Sequence, residues 1–180
     1  MSHRYILTAF SNDRPGIVAD ITQIIYENNC NLEESAMANL AGEFALIFLF
    51  SPLSGDRGEN LEEILTRECR RLERDKGITA FVRSVAPSSP NPEMQETKAA
   101  AITVEGLDHA GIVYKISRFL ADNQINISSL NSTVKSSPES GGAVYRMRIE
   151  VEIPSSLKRE EVERGLRRIG DGLLVDIILE

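Results

Sequence analysis

One motif occurs twice in this chain. Asp13-Arg14-Pro15-Gly16-Ile17-Val18 returns as Asp108-His109-Ala110-Gly111-Ile112-Val113, at an offset of 95 residues. The same offset carries Thr8 to Thr103, Ile21 to Ile116, Asn28 to Asn123 and Asn31 to Asn126. A register held this long, with a period this large, describes two copies of one small domain and not a solenoid. At 180 residues, each copy has room for one modest core.

The element order within a copy follows from periodicity. Tyr5–Phe10 alternates as a strand, Asn12–Gly16 is a turn, and Ile17, Ile21, Ile24 and Ile25 recur at helical spacing. Asn31–Leu40 is extended, Ala41-Gly42 turns, and Phe44–Phe50 is an apolar strand. Leu61, Ile64, Leu65, Cys69 and Leu72 mark a second helix that Gly77 stops before a strand over Ile78–Val85. The second copy repeats the order: a strand over Ala99–Glu105, a helix over Ile112–Asn123, and strands over Ile125–Val134 and Val144–Ile153. A helix on Val162, Leu166 and Ile169 and a strand over Leu173–Leu179 complete it. Two βαββαβ copies predict an α+β chain of two ferredoxin-like domains, each an antiparallel sheet with its helices on one face. The expected division is a first domain over 1–86, a Pro/Ser-rich linker over 87–97 and a second domain over 98–180.

The two middle strands differ in a telling way. Val144, Arg146, Arg148, Glu150 and Glu152 give the second copy's strand a wet face, whereas Phe44, Leu46, Phe48 and Phe50 alternate with Ala45, Ile47 and Leu49. Either the first sheet's open face is covered, by the twin domain or by another chain, or the strand is central and well packed. A homodimer and an intramolecular pseudo-dimer are both compatible with this pattern.

Composition removes several function classes. A net charge of −7 opposes direct nucleic-acid binding, which needs clustered cations. Arg67, Arg70, Arg71 and Arg74 are interspersed with acids and read as a solvated helix face. Cys30 and Cys69 form no paired or metal-binding spacing, and two histidines are too few for a zinc site. With neither a signal-like opening nor a membrane-length apolar run, the expectation is a cytoplasmic protein without metal or cofactor. No nucleophile elbow, P-loop or paired-histidine motif is present, so catalysis is not expected. The hairpin loop Lys135–Gly142 is longer than its counterpart Ala41-Gly42. It reads as a tolerated surface insertion or as a loop that contacts a partner or covers a ligand.

The repeated turn admits two readings. Asp13 and Asp108 can be helix caps, and Gly16 and Gly111 can serve a close strand–helix crossing. Alternatively, the helix N-terminus binds a carboxylate through free amides and the aligned dipole, while Asp13 or Asp108 accepts from an ammonium. Asn31 or Asn126, with a donor and an acceptor each, can serve either group. Cationic and anionic recognition side by side suits a zwitterion, so a free amino acid is the natural guest. Glycine's few heavy atoms, at a ceiling of about 1.5 kcal/mol each, cap binding near roughly 7.5 kcal/mol, a dissociation constant of micromolar order.

The Asp-Arg-Pro-Gly-Ile-Val turn followed by Asn-x-x-Asn-Leu resembles the ACT domain, a ligand-binding module of amino-acid metabolism, in two copies over nearly the whole chain. A tandem with no appended domain is most similar to the glycine cleavage system transcriptional repressor family. That resemblance implies a regulator sensing glycine or serine and acting on a DNA-bound protein; the alternative is a regulatory subunit docking on an enzyme of amino-acid metabolism. It implies a ligand loop of Asp13, Gly16 and Ile17 in the first copy and Asp108, Gly111 and Ile112 in the second. Asn31 and Asn126 are implied to meet the effector across an interface. Ala110 departs from the family's Pro, and Ser11 and Gly106 stand where some serine-binding relatives carry His.

Overall fold

The computed structural model describes residues 3–53, 60–85, 96–136 and 143–180, and most of the 87–97 linker and most of the Lys135–Gly142 loop lie outside them. The chain separates into two compact units. In the first, β1 (Arg4–Asn12), α1 (Ile17–Glu27), β2 (Cys30–Leu40), β3 (Glu43–Pro52), α2 (Leu61–Lys76) and β4 (Thr79–Val85) follow in order. The second contains β5 (Thr97–Leu107), α3 (Ile112–Asp122), β6 (Asn126–Ser136), β7 (Ala143–Pro154), α4 (Arg159–Leu173) and β8 (Val175–Leu179). Each is an antiparallel four-stranded sheet, in the orders β2-β3-β1-β4 and β6-β7-β5-β8. Both are ferredoxin-like, as the repeat requires.

Each sheet has one face in a core. Tyr5, Leu7 and Ala9 of β1 and the four aromatic and leucine residues of β3 pack against Ile17, Ile21, Leu61 and Leu65 of the helices. Ile102, Val104, Met147, Ile149 and Val151 play the same part against Ile116, Leu120, Val162 and Leu166. Period-2 alternation meets 3.6-residue periodicity at one shared surface, and that match confines both helices to one side. The arginines of α2 are exposed; Arg71 and Arg74 pair with Glu68 and Asp75, as a solvated face predicts. Cys30 and Cys69 are buried free thiols, and burial pushes the Cys69 thiol up to about 11.

The punctuation is largely as read. Gly77 ends α2 in the left-handed region at φ 67°, and Asn28 and Asn123 close α1 and α3, each donating Nδ2 to a carbonyl at 2.8 Å. Ala41 and Gly42 both have positive φ, the geometry of a tight hairpin turn. The last strand starts later than periodicity suggested. Leu173 ends α4, Leu174 turns at φ 53°, and only Val175 enters β8, because the buried side of Leu173 continues the helical stripe.

Candidate functional site

Both helices that follow the repeated turn begin in the same unusual way. Gly16 and Gly111 are the capping residues, at φ 93° and φ 99°, a region that favours glycine. The Gly16 and Gly111 carbonyls accept the amides of Asp20 and Lys115 at 2.9 Å, which starts the helical ladder. The amides of residues 17–19 and 112–114 precede that ladder and have no partner within their helix. Neither helix has a side-chain cap. Asp13 and Asp108 are therefore not the caps that one reading of the sequence proposed. They sit three residues before the capping glycine, and the left-handed turn intervenes.

Asp13 is fixed from the other side. Its amide donates to the Gly42 carbonyl at 2.8 Å, and Asn39 Nδ2 donates to its Oδ2 at 2.6 Å. The β2–β3 hairpin thus orients the carboxylate while leaving Oδ1 without a partner among the described residues. Among the described residues, Asp108 is tied through its amide alone, to the Ala143 carbonyl at 3.1 Å. Val134 occupies the place of Asn39 in the second copy, so among the described residues no amide side chain holds Asp108.

The residue after each aspartate has diverged. Arg14 donates to Asp20 Oδ2 at 2.7 Å and to the Pro15 carbonyl at 3.2 Å, and its guanidinium stands beside Gly16. That bond, with Lys76 3.6 Å away, holds the Asp20 carboxyl below the usual carboxylate range. His109 instead places one ring nitrogen on the Leu173 carbonyl and the other on Ala110, and these contacts raise its pKa. Ile17 and Ile112 are 2% exposed, so they offer the site only their backbone amides.

Asn31 and Asn126 do not join these loops within a copy. Asn31 pairs with Ser51 and Asn126 with Glu152, at the far end of the strand from Gly42 and Ala143. About nine residues of β-strand separate each asparagine from its loop, roughly 30 Å at 3.4 Å per residue. The expected grouping fails for that reason: β1 ends where β2 ends, not where β2 starts. Asn126 donates instead to Glu152 at 3.3 Å. Asn39 and His109 are the contacts sequence reasoning missed, although β1 lying between β3 and β4 puts the hairpin tip beside the loop.

Two concavities border the residues around these loops. One of about 580 Å³ is bordered by Thr103, Glu105, Gly106 and Ile178 on the outer face of the second sheet. Another of about 370 Å³ lies between α1 and α2, beside Asp20, Glu68 and Lys76. Asp13, Arg14, Pro15 and Gly16 are exposed, so the first loop is an open surface feature. No group of acidic, histidine and cysteine residues among the described residues is arranged to hold a metal ion. Nor is any described helix long and apolar enough to cross a membrane.

Residues 3–79 match the ACT domain family model. Over 167 residues the chain is 25% identical to the glycine cleavage system transcriptional repressor of Escherichia coli, covering 93% of this chain and 84% of the relative. A crystal structure of an unknown protein from Galdieria sulphuraria is 30% identical, covers 100% of this chain and 98% of its own, and superposes with a TM-score of 0.79. A solved structure assigned as a glycine cleavage system transcriptional repressor shares the fold over 100% of this chain and 97% of its own, at 19% identity and a TM-score of 0.68. The family model covers the first copy, and the second repeats its motif in register with the same strand order. The first copy matches the ACT domain, the second repeats its motif and fold, and the chain is similar over most of its length to the glycine cleavage system transcriptional repressor of Escherichia coli.

Proposed function

We propose that this chain is a non-catalytic sensor of a small amino acid, glycine or serine, that regulates glycine cleavage genes by contacting a DNA-bound activator. The observation that carries the reading is the duplicated, uncapped helix start at a left-handed glycine, with an aspartate three residues away. Open amides and the helix dipole favour a carboxylate there, and Asp13 Oδ1 or the Asp108 carboxylate offers an ammonium its counter-charge. Arg14 adds positive charge beside the first helix start. The negative balance of the chain supports action through protein and not on DNA. The two domains over 1–86 and 98–180, joined by the 87–97 linker, give each chain two such loops. Asn31 and Asn126 enter such a site only from a neighbouring ACT fold, since each stands at the far end of an edge strand.

Calorimetric titration against the proteinogenic amino acids tests this directly. Glycine or serine should bind with a dissociation constant between a few micromolar and about a millimolar, given the ceiling on so small a ligand. Asp13→Ala and Asp108→Ala should each remove about one site's worth of heat while circular dichroism stays unchanged. Absence of binding to every amino acid at about 10 mM, about tenfold above the top of that range, would dispose of the sensor. Affinity capture that recovers an enzyme of amino-acid metabolism in place of a DNA-bound regulator would replace the transcriptional role with the enzyme-subunit one.

A further inference from the structure

The outer face of the first sheet is mainly apolar, whereas that of the second mixes ion pairs with exposed Leu107 and Ile178. Phe10 is 48%, Ile47 49% and Phe81 63% exposed, and all three point away from the helices. On the second sheet the matching face carries Arg146 paired with Glu105 at 2.8 Å, and Arg148 paired with Glu150 and Glu180 at 2.9 and 2.8 Å. Those committed ion pairs would be desolvated without compensation against an aromatic surface, so the second face is a poor chemical match for the first.

A second copy of the same face is a good match. The register places Glu34, Leu49, Ile6 and Arg83 in one row across β2, β3, β1 and β4. A two-fold axis parallel to the strands, between β3 and β1, lays β2 over the partner's β4 and β3 over the partner's β1. Glu34 then faces Arg83 of the second copy at both edges, with Leu49 over Ile6 between them. In the next row Phe81 meets Ala36 and Ile47 meets Thr8; in the third, Phe10 meets Ala45. Each aromatic side chain is thus met by an alanine, the size alternation that lets two sheets pack about 10 Å apart.

The charges at the edges are uncommitted within a copy. Arg4 already pairs with Glu33 at 3.1 Å, whereas Glu34 and Arg83 have no ion-pair partner among the described residues. Three strand spacings, roughly 14 Å, separate Glu34 from Arg83 on one sheet, so they cannot pair with each other there. Four strands about six residues long present a footprint of roughly 400 Å², or on the order of 800 Å² for two copies, below the standard size of stable interfaces and in the range of weak, transient ones.

We propose that this face is the interface of a two-fold symmetric dimer of the chain, keyed by Glu34 and the Arg83 of the second copy. The association is reversible and weak, with a dissociation constant of micromolar order.

Sedimentation velocity of the full chain from about 1 to 200 µM brackets that affinity. The expected result is a monomer–dimer equilibrium that Glu34→Arg and Arg83→Glu each weaken at least tenfold, with unchanged circular dichroism. Mixing the two variants in equal amounts should restore association, because the heterodimer pairs Arg with Glu at both edges. A chain that stays monomeric over the whole range overturns the proposal, and so does a dimer indifferent to either reversal or a mixture that fails to recover.

Discussion

His109 and Arg14 hold equivalent places in the two loops, yet they secure them by different chemistry. Arg14 keeps a permanent charge and reaches Asp20 in the first turn of its own helix. His109 bridges to the Leu173 carbonyl at the end of α4, where the helix dipole favours a cation. Both of its ring nitrogens lie on carbonyl oxygens, which only accept, so the imidazolium satisfies two bonds and the neutral ring one. The Leu173 and Ala110 carbonyls raise the pKa, Lys115 opposes them, and Asp108 assists. A raised folded-state pKa means stabilisation that is complete below the unfolded histidine value and fades as pH rises through the folded one. Urea unfolding should therefore show a larger loss of stability between about pH 6 and pH 8 in the parent than in His109→Ala, the window around the ordinary histidine value. Equal losses in the two proteins would deny His109 this role.

At the scale of elements, α4 carries glycines with opposite consequences. A Cβ at Gly165 would run into the Phe119 ring of α3, whereas one at Gly172 meets nothing within 4 Å. Gly165→Ala should thus destabilise by about 1–2 kcal/mol, overpacking outweighing the helix-propensity gain. Gly172→Ala should stabilise by up to about 1 kcal/mol, since only propensity changes. Denaturant midpoints of the two variants, shifted in opposite directions, check both. This contrast also explains what the sequence made legible. Periodicity exposes which residues share a face, so the core stripes of α1 and β3, and the glycine that stops α2, could be read without coordinates. The duplicated Gly16 and Gly111 were legible because the same backbone need arose twice. The position of Asn31 relative to Asp13 was not, because sequence order gives no direction along a sheet. The Asn39–Asp13 bond was hidden for the same reason: its partners are 26 residues apart and meet only through strand pairing. Gly165 resembled any helix glycine until Phe119 was in place.

Two units with separate cores make the whole molecule its own control. Leu7, Ile21 and Leu65 belong to one cluster, Ile102, Ile116 and Leu166 to the other. Truncating a fully buried leucine leaves a cavity costing about 2–5 kcal/mol, a large share of what a domain this small can hold. Leu65→Ala, at a fully buried position, should accordingly lower the first unit's unfolding transition and leave the second's in place. A ligand binding only the native state at a hundredfold excess over its dissociation constant adds about 2.7 kcal/mol to the unit that holds it. In the Leu65→Ala background glycine or serine should raise both transitions if both loops bind, and only one if a single loop does. Amide exchange resolved along the chain gives the direct reading, since amides 17–19 and 112–114 lack intrahelical partners and should exchange rapidly until a carboxylate occupies them. Slowing at both helix starts would make the two loops equivalent sensors despite Arg14 and His109. Slowing at residues 17–19 alone would assign binding to the loop that Asn39 organises, leaving Asp108 with a different task. Unchanged exchange at both starts, under conditions where calorimetry detects binding, would move the amino acid elsewhere on the protein.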